Sequence, residues 1–254
     1  MSNLIRINNK LMTTNNKLFT ATAYVPPPPP PIPSDMHFIY LANDYDGDKI
    51  PNLAANSTLG SFNRYESGTL TKTGSGSNCY ITNGSGSATN HLYLSMSNDD
   101  LNLMKAVNNT YCYFFRFVCT STSTGGVLSW RNPAYGSTWP DGYVYMIRCS
   151  GAKIEFHTSS GYATNLSLAT DTVYKTTVNG NSVNIVDLND NSKSWTYSGG
   201  SFNRTMNPKM TTFWSGYSSE YVPNAQFYGV AGIARATTAE EDNEIKAALM
   251  NQSI

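Results

Sequence analysis

Two polar segments of the chain carry aromatic residues that could bind sugars. One segment spans residues 131–141 and the other spans residues 215–221, and a tryptophan directly precedes each of them. Aromatic rings pack on the apolar faces of sugars, while nearby Asn, Asp and Ser side chains can hydrogen-bond to sugar hydroxyls. The alternative is that these rings belong to the core or to subunit contacts. We predict a carbohydrate site formed by Trp139, Tyr135, Tyr217, Tyr221, Trp130 and Trp214.

A second chemical signal is a short run of alternating carboxylates. Asp44, Asp46 and Asp48 surround Gly47, which resembles the start of an oxygen-rich calcium loop. A complete loop of the EF-hand type would need a glutamate at its twelfth position, where this chain has Ala55. The pattern therefore predicts either a weak calcium site or a solvated turn, and no other cofactor is expected.

Catalytic patterns are missing from the sequence. Glycoside hydrolysis needs two carboxyl groups flanking the bond, but Glu155 stands alone in its predicted strand. The three histidines, His37, His91 and His157, accompany no G-x-S-x-G motif. The chain also has no phosphate-binding or dinucleotide-binding fingerprint. We therefore expect a protein that is not an enzyme, with a hydrolase as the less favoured alternative.

Composition limits the partners and points to a β-rich fold. The 254 residues include 17 basic and 17 acidic side chains, so bulk charge predicts no nucleic-acid partner. No run approaches the ~18 apolar residues of a membrane span, so we expect no membrane insertion. The content of 17 tyrosines and 19 glycines favours an all-β protein over a helical one.

The four cysteines show no metal-binding or redox spacing. Cys79, Cys112, Cys119 and Cys149 include no C-x-x-C pair, so we expect free, partly buried thiols and no zinc. Cys112 and Cys119 are seven residues apart, which places them on opposite faces of one strand.

A run of six prolines, Pro26–Pro31, followed by Ile32 and Pro33, divides the chain. Proline fixes φ and donates no N–H, so the run cannot join a helix or a central strand. It should form a stiff polyproline II spacer about 25 Å long, at roughly 3.1 Å per residue. We predict three regions: an N-terminal segment at 1–25, a linker at 26–34 and a globular domain at 35–254.

The N-terminal segment contains a duplication. Residues 8–13 read Asn-Asn-Lys-Leu-Met-Thr and residues 15–20 read Asn-Asn-Lys-Leu-Phe-Thr. Asn-Asn pairs favour tight turns, so the segment predicts two or three very short strands. Such strands are not stable alone, so the segment is either disordered or docked on another surface. We favour docking and predict an anchor formed by Leu4, Ile5, Ile7, Leu11, Met12, Leu18 and Phe19.

The globular domain reads as a series of strands that ends in a helix. The clearest strand is Thr110–Cys119, which is apolar on both faces and should lie centrally in a sheet. An Asn-Gly turn joins strands at 173–178 and 182–187 in a hairpin. Thr238 and Glu241 have capping-box spacing before an apolar stripe, and Asn98 should cap a short helical turn. We predict an all-β, two-sheet antiparallel sandwich with one C-terminal helix and an extended N-terminal arm.

Three stretches resemble the concanavalin A-like lectin and laminin-G-like jelly roll. They are the aromatic strand at 113–117, the hairpin at 173–187 and the end Phe-Tyr-Gly-Val-Ala-Gly-Ile-Ala-Arg-Ala at 227–236 with the helix that follows. The resemblance covers residues 35–250 loosely and implies the fold, which hosts lectins, hydrolases and adhesion modules. The family's usual acidic residue falls near Ala234 here, so the resemblance implies no metal on that strand.

The first 33 residues resemble the short N-terminal anchors of phage virion proteins, in which brief repeats precede a proline-rich linker and a lectin-like domain. The resemblance implies a structural protein of the virion: a head fibre, a decoration protein or a tail-associated adhesin. It would be made in the host cytoplasm, dock on other virion proteins through residues 1–25 as a homo-oligomer, and attach to glycan or host surface. The alternatives are a cellular carbohydrate-binding protein and, less favoured, a glycoside hydrolase.

Overall fold

The structure, a computed structural model, describes residues 5–7, 10–12, 18–19, 31–84, 86–87, 89–119, 124–130, 146–157, 161–199, 209–213 and 221–254. In chain order its strands are β1 (Ile5–Ile7), β2 (Lys10–Met12), β3 (Leu18–Phe19), β4 (Phe38–Leu41), β5 (Lys49–Ile50), β6 (Phe62–Arg64), β7 (Thr71–Thr73), β8 (Tyr80–Thr82), β9 (Leu92–Ser95), β10 (Thr110–Val118), β11 (Gly125–Ser129), β12 (Met146–Ser150), β13 (Lys153–His157), β14 (Gly161–Ser167), β15 (Val173–Asn179), β16 (Ser182–Asp187), β17 (Ser194–Ser198), β18 (Lys209–Thr212) and β19 (Gln226–Ile233). The helices are α1 (Asn98–Met104) and α2 (Ala239–Asn251).

Two antiparallel sheets of eight strands each form the domain, within the described ranges. The first sheet has the order β17-β16-β15-β10-β19-β8-β7, and β4 also pairs with β19. The second sheet has the order β14-β13-β12-β11-β18-β9-β6-β5. These neighbours are far apart in sequence, as the crossovers of a jelly roll require. The predicted two-sheet sandwich with a C-terminal helix is confirmed.

Alternating residues of the strands build two separate cores. The larger core lies between the sheets and contains the inward aromatic rings of β10, Tyr111, Tyr113, Phe115 and Phe117. The smaller core lies between the first sheet and α2, and contains Cys112 and Phe114 from the other face of β10. Because β10 is covered on both faces, its sequence is apolar from Tyr111 to Val118 except at Arg116, as the prediction of a central strand required. The two cores also confirm that Cys112 and Cys119 point to opposite faces.

Helix α2 covers the first sheet and is capped as predicted. The Thr238 hydroxyl accepts from the Glu241 N–H, and the Glu241 carboxylate accepts from the Thr238 N–H. Ile245, Ala248 and Leu249 are its buried residues. For α1 the predicted cap was off by one: Ser97, not Asn98, is the N-cap residue and forms a capping box with Asp100. Among the described residues, no helix is long and apolar enough to span a membrane.

The chain enters the domain through a fixed segment directly after the prolines. Ile32 packs against the smaller core, and the Ser34 carbonyl accepts from the Asn56 side chain at 2.9 Å. Asp35 accepts from Arg235 at 2.6 and 2.8 Å, and the same guanidinium donates to Glu241 at 2.6 and 2.9 Å. The start of the domain is therefore tied to the first turn of α2.

A small sheet forms in the N-terminal segment. Strands β1, β2 and β3 are antiparallel, and the register aligns Ile5 with Met12 and Met12 with Leu18. The same register aligns Leu11 with both Arg6 and Phe19. The backbone of this sheet has the short strands that the duplication predicts; Leu4 and residues 26–30 of the linker lie outside the described residues.

Candidate functional site

The outer face of the second sheet carries the domain's largest continuous set of polar strand residues that we identify in the described ranges. Along β9, Leu92 and Leu94 are buried while Tyr93 between them is half-buried. Along β13, Ile154 and Phe156 belong to the larger core, so Glu155 must point outward. This alternation turns one face to the core and leaves the other for polar side chains.

Strand register aligns the outward residues in a row across seven strands. Each member is the registered partner of the next, and neighbouring strands lie about 4.8 Å apart, so the row is roughly 29 Å long. The members are His157, Met146, Ser129, Thr211, Tyr93, Asn63 and Lys49. Ser129 and His157 are buried, Thr211, Tyr93 and Asn63 are half-buried, Lys49 is exposed, and only the backbone of Met146 is described. We call this set the outer row.

Beside His157 the outer row meets a charged pair. Nε2 of His157 lies 2.9 Å from the Glu155 carboxylate, and Glu155 is registered with Arg148 on β12. The contact with His157 and the charge of Arg148 lower the pKa of Glu155, against the raising effect of its burial. Glu155 is therefore held as a carboxylate.

Toward the other end, aromatic rings surround Tyr93. Tyr65 is 42% exposed and stacks on His91, with ring centroids 4.8 Å apart. Tyr65 also meets Tyr93 edge-on at 6.5 Å. The ammonium of Lys209 lies 5.4 Å from the centroid of Tyr93. This group combines the exposed ring of Tyr65 with the half-buried ring of Tyr93 and its neighbouring cation, and aromatic rings with polar neighbours are a general feature of sites that bind ligands with apolar faces.

The predicted aromatic segments leave the second sheet at opposite ends of β11. The segment at 131–145 joins β11 to β12, whose first residue Met146 is registered with His157. The segment at 214–220 follows the C-terminal end of β18, where Thr212 is registered with Leu92, the first residue of β9. Tyr135, Trp139, Trp214 and Tyr217 themselves lie outside the described residues.

Two predicted sugar-binding residues are described. Trp130 is 1% exposed and packs in the larger core, with its ring 5.0 Å from that of Tyr113. It occupies the core position that the sequence left open as an alternative, and its ring is not available for surface stacking. Tyr221 is half-buried, and its ring lies close to Gly86 and Pro223, where a Cβ on Gly86 would meet it at 2.6 Å.

The three candidate calcium ligands hold a turn instead of converging. Asp46 accepts from the backbone N–H groups of Asp48 and Lys49, both at 2.9 Å, and these bonds lower its pKa. Asp48 pairs with Arg64, and Asp44 ends a short 3-10 helix. In the described part of the chain no three His, Cys, Asp or Glu residues come together to hold a metal ion. These contacts are those of a hydrogen-bonded turn, which the sequence left open as the alternative to a calcium loop.

A concavity lies beside α1. It has a volume of about 590 Å³ and is lined by Thr58, Met96 and Asp100, among others. Asp100 lies 3.0 Å from Nε2 of His37, and Nδ1 of His37 lies 2.6 Å from the Tyr111 hydroxyl. This buried network uses both ring nitrogens of His37, so it is a structural network.

Comparisons with known proteins identify the fold. No protein-family model matches the chain, and no curated protein matches it in sequence. The sialidase of Trypanosoma rangeli has a similar structure, with a TM-score of 0.59 at 8% identity over 87% of this chain and 33% of the sialidase chain. The ligand-binding domain of botulinum neurotoxin serotype D, in complex with N-acetylneuraminic acid, gives a TM-score of 0.56 at 6% identity over 85% of this chain and 52% of that chain.

A structure of botulinum neurotoxin type C, whose cell entry is described as dependent on two ganglioside molecules, gives a TM-score of 0.52 at 10% identity over 85% of this chain and 52% of that chain. The chain thus spans about half of these neurotoxin chains and about a third of the sialidase chain. Identities this low show the shared jelly-roll fold alone.

Sequence reasoning missed the outer row. Its members are scattered, and their alignment depends on the pairing of strands distant in sequence, which no local pattern encodes. The available signal was alternation in β9 and β13, where polar residues follow buried ones.

Proposed function

We propose that the sandwich is a non-enzymatic glycan-binding domain and that its binding surface is the accessible part of the outer row, from Thr211 to Lys49, together with Tyr65. The outer row is the single observation that carries this proposal. The half-buried Thr211 hydroxyl and Asn63 amide can hydrogen-bond to sugar hydroxyls, and Tyr93 with Tyr65 can pack on a sugar face. The row from Thr211 to Lys49 is about 14 Å long, which suits a short oligosaccharide laid across the strands.

The charge of this surface favours an acidic glycan. Lys49 and Lys209 are exposed on it, and the Glu155 carboxylate at the far end of the row is paired with His157. A sugar carboxylate can pair with exposed cations of this kind. The N-acetylneuraminic acid and ganglioside named for the neurotoxin structures are ligands of that chemical class, and they support the choice.

The lowered pKa of Glu155 and the absence of a second carboxyl group among its registered partners favour binding over hydrolysis. A glycosidase acid needs a raised pKa and a second carboxyl group across the bond. The pKa of Glu155 is lowered, and its registered partners are Arg148 and Ala163. Release of reducing sugar from an acidic polysaccharide by the purified chain, lost in Glu155→Gln, would revive the hydrolase alternative.

A glycan array probed with the full chain tests the binding proposal. We expect acidic oligosaccharides among the bound glycans, with affinity reduced about tenfold by Asn63→Ala, equivalent to about 1.4 kcal/mol. Asn184→Ala is the matched control, because Asn184 is also a half-buried strand residue with one side-chain hydrogen bond, but lies on the first sheet. Equal losses in the two variants, or no bound glycan at all, would contradict the proposal.

We further propose that residues 1–25 attach the domain to a phage particle and that the proline run holds the domain away from it. The supporting observations are the small sheet β1-β2-β3, which is too small to be stable alone, and the fixed entry of the chain at Ile32–Asp35. Several copies on one particle would raise the avidity of each weak glycan contact.

Deleting residues 1–25 tests the attachment and separates a virion protein from a cellular lectin. We expect the deleted chain to be absent from purified particles while it binds the same glycans as the full chain. Incorporation of the deleted chain at the normal level would contradict the anchor. Failure of the anchor would leave the glycan proposal unaffected, because the array measures binding without particles.

A further inference from the structure

The two sheets of the sandwich meet at a pair of buried thiols. Cys119 directly follows β10 of the first sheet, and Cys149 lies in β12 of the second. Their sulfur atoms are 2.7 Å apart, and both residues are 0% exposed. Non-bonded heavy atoms ordinarily pack at about 3.5–4.0 Å, so the two thiols are in very close contact.

Backbone hydrogen bonds fix the positions of both cysteines. The Cys119 N–H donates to the Leu168 carbonyl at 2.8 Å, and the Leu168 N–H donates to the Ala152 carbonyl at 2.8 Å. Ala152 lies in the turn between β12 and β13, three residues after Cys149. The close contact is therefore built into the strands on either side of it.

The other two cysteines have different surroundings. Cys112 belongs to the smaller core under α2, and its sulfur lies 3.6 Å from the Thr177 hydroxyl. Cys79 belongs to the larger core and is also 0% exposed. Both are buried cysteines without a neighbouring sulfur in the contacts described, so they serve as internal controls.

We propose that Cys119 and Cys149 form a disulfide that cross-links the two sheets when the chain is in an oxidising medium. A low-molecular-weight disulfide such as glutathione disulfide is the oxidant. One cysteine thiolate attacks it, releasing one glutathione and forming a mixed disulfide; the second cysteine then displaces the other glutathione. The protein loses two protons and two electrons, and one glutathione disulfide becomes two glutathione molecules.

Burial controls when the reaction occurs. The hydrogen bond with Cys119 and desolvation raise the pKa of Cys149, so the attacking thiolate is scarce in the folded chain. Oxidation should therefore be slow in the native state and fast during folding or local opening. A chain made in a reducing compartment would carry the thiols and acquire the cross-link after release.

The test compares the full chain refolded with glutathione disulfide and with reduced glutathione, each then alkylated and digested. We expect a cross-linked peptide pair containing Cys119 and Cys149, an intact mass lower by two hydrogens, and a Tm about 10 °C higher than that of the reduced chain. The loop closed by the disulfide would span residues 119–149.

Cysteine variants show which residues cause the oxidant-dependent rise in Tm. Cys149→Ser should abolish the oxidant-dependent rise in Tm, whereas Cys112→Ser and Cys79→Ser should keep it. If Cys149→Ser fails to fold, the peptide map of the wild-type chain decides. Complete alkylation of both Cys119 and Cys149 after oxidative refolding, or a disulfide to Cys79 or Cys112 instead, would overturn the proposal.

Discussion

At the scale of single residues, Arg116 has the most extensive set of contacts that we find in the described chain. Its side chain is 3% exposed and donates to both carboxylate oxygens of Asp171 at 2.7 Å. It also donates to the carbonyls of Ser77, Leu249 and Met250, and it lies 4.0 Å from the ring centroid of Tyr228. A cation at the C-terminal end of α2 satisfies carbonyls that have no partner within the helix.

Replacing Arg116 with methionine should reduce the free energy of unfolding by about 3 kcal/mol, because the last carbonyls of α2 lose their donor and Asp171 loses its partner. Urea unfolding followed by tryptophan fluorescence measures the effect. Lys193→Met is the control, since the Lys193–Asp190 pair is exposed and should contribute less than about 1 kcal/mol. Similar small losses in both variants would refute the role given to Arg116.

Residue-level chemistry was only partly visible in the sequence. The capping box of Thr238 and Glu241 follows from local spacing and was predicted correctly. The carboxylates at Asp44, Asp46 and Asp48 also have suggestive spacing, but the backbone turns each in its own direction and the N–H groups nearby bind Asp46. No local sequence pattern indicates that Trp130 is buried, because its burial depends on packing against Tyr113 from a distant strand.

At the scale of elements, a single ion cluster fastens α2 to the start of the domain. Arg235 connects Asp35 with Glu241 of the first helical turn. Hydrogen bonds from Arg235 and from the Thr238 N–H lower the pKa of Glu241 to about 2, from its usual 4.5. Because the folded-state pKa lies below the unfolded one, this stabilisation is present above about pH 4.5 and is lost as the pH falls toward 2.

We therefore expect Glu241→Gln to destabilise the chain by about 1 kcal/mol at pH 6, a value reduced for solvent screening of a partly exposed pair, and by much less at pH 3. The measurement is the free energy of unfolding of both proteins across this range. Glu240→Gln is the matched control, because Glu240 is the exposed neighbour of Glu241 in the same turn. A deficit that stays constant from pH 6 to pH 3 would contradict the assignment.

Elements with strong periodicity were predictable, and those determined by their partners were not. The hairpin β15–β16 follows from its Asn-Gly turn, with Gly180 at φ 54°. Strand β10 follows from its apolar sequence. The strands β6 and β7 were missed because they are short, and Thr71–Thr73 is exposed and polar along its length; only the neighbouring strand β8 makes it extended. Register across the second sheet, and hence the outer row, is set by such long-range pairings.

At the scale of the whole molecule, we assign different roles to different described regions of the chain. The sandwich has one covered face, under α2, and one polar face, the outer row. The entry segment at Ile32–Asp35 is hydrogen-bonded to the domain. The proline run should therefore set the orientation of the sandwich and should not act as a flexible linker. We propose that this arrangement displays the outer row at a distance from the particle.

The central claim is that glycans bind on the outer row, and mapping of a bound glycan by backbone amide chemical shifts tests it most directly. The full ¹⁵N-labelled chain is titrated with the tightest acidic oligosaccharide from the array. We predict that the largest shifts fall on Thr211, Tyr93, Asn63 and Lys49, with Asn184 and Thr196 of the first sheet unchanged. Shifts confined to the first sheet, to α2 or to the concavity beside α1 would contradict the account.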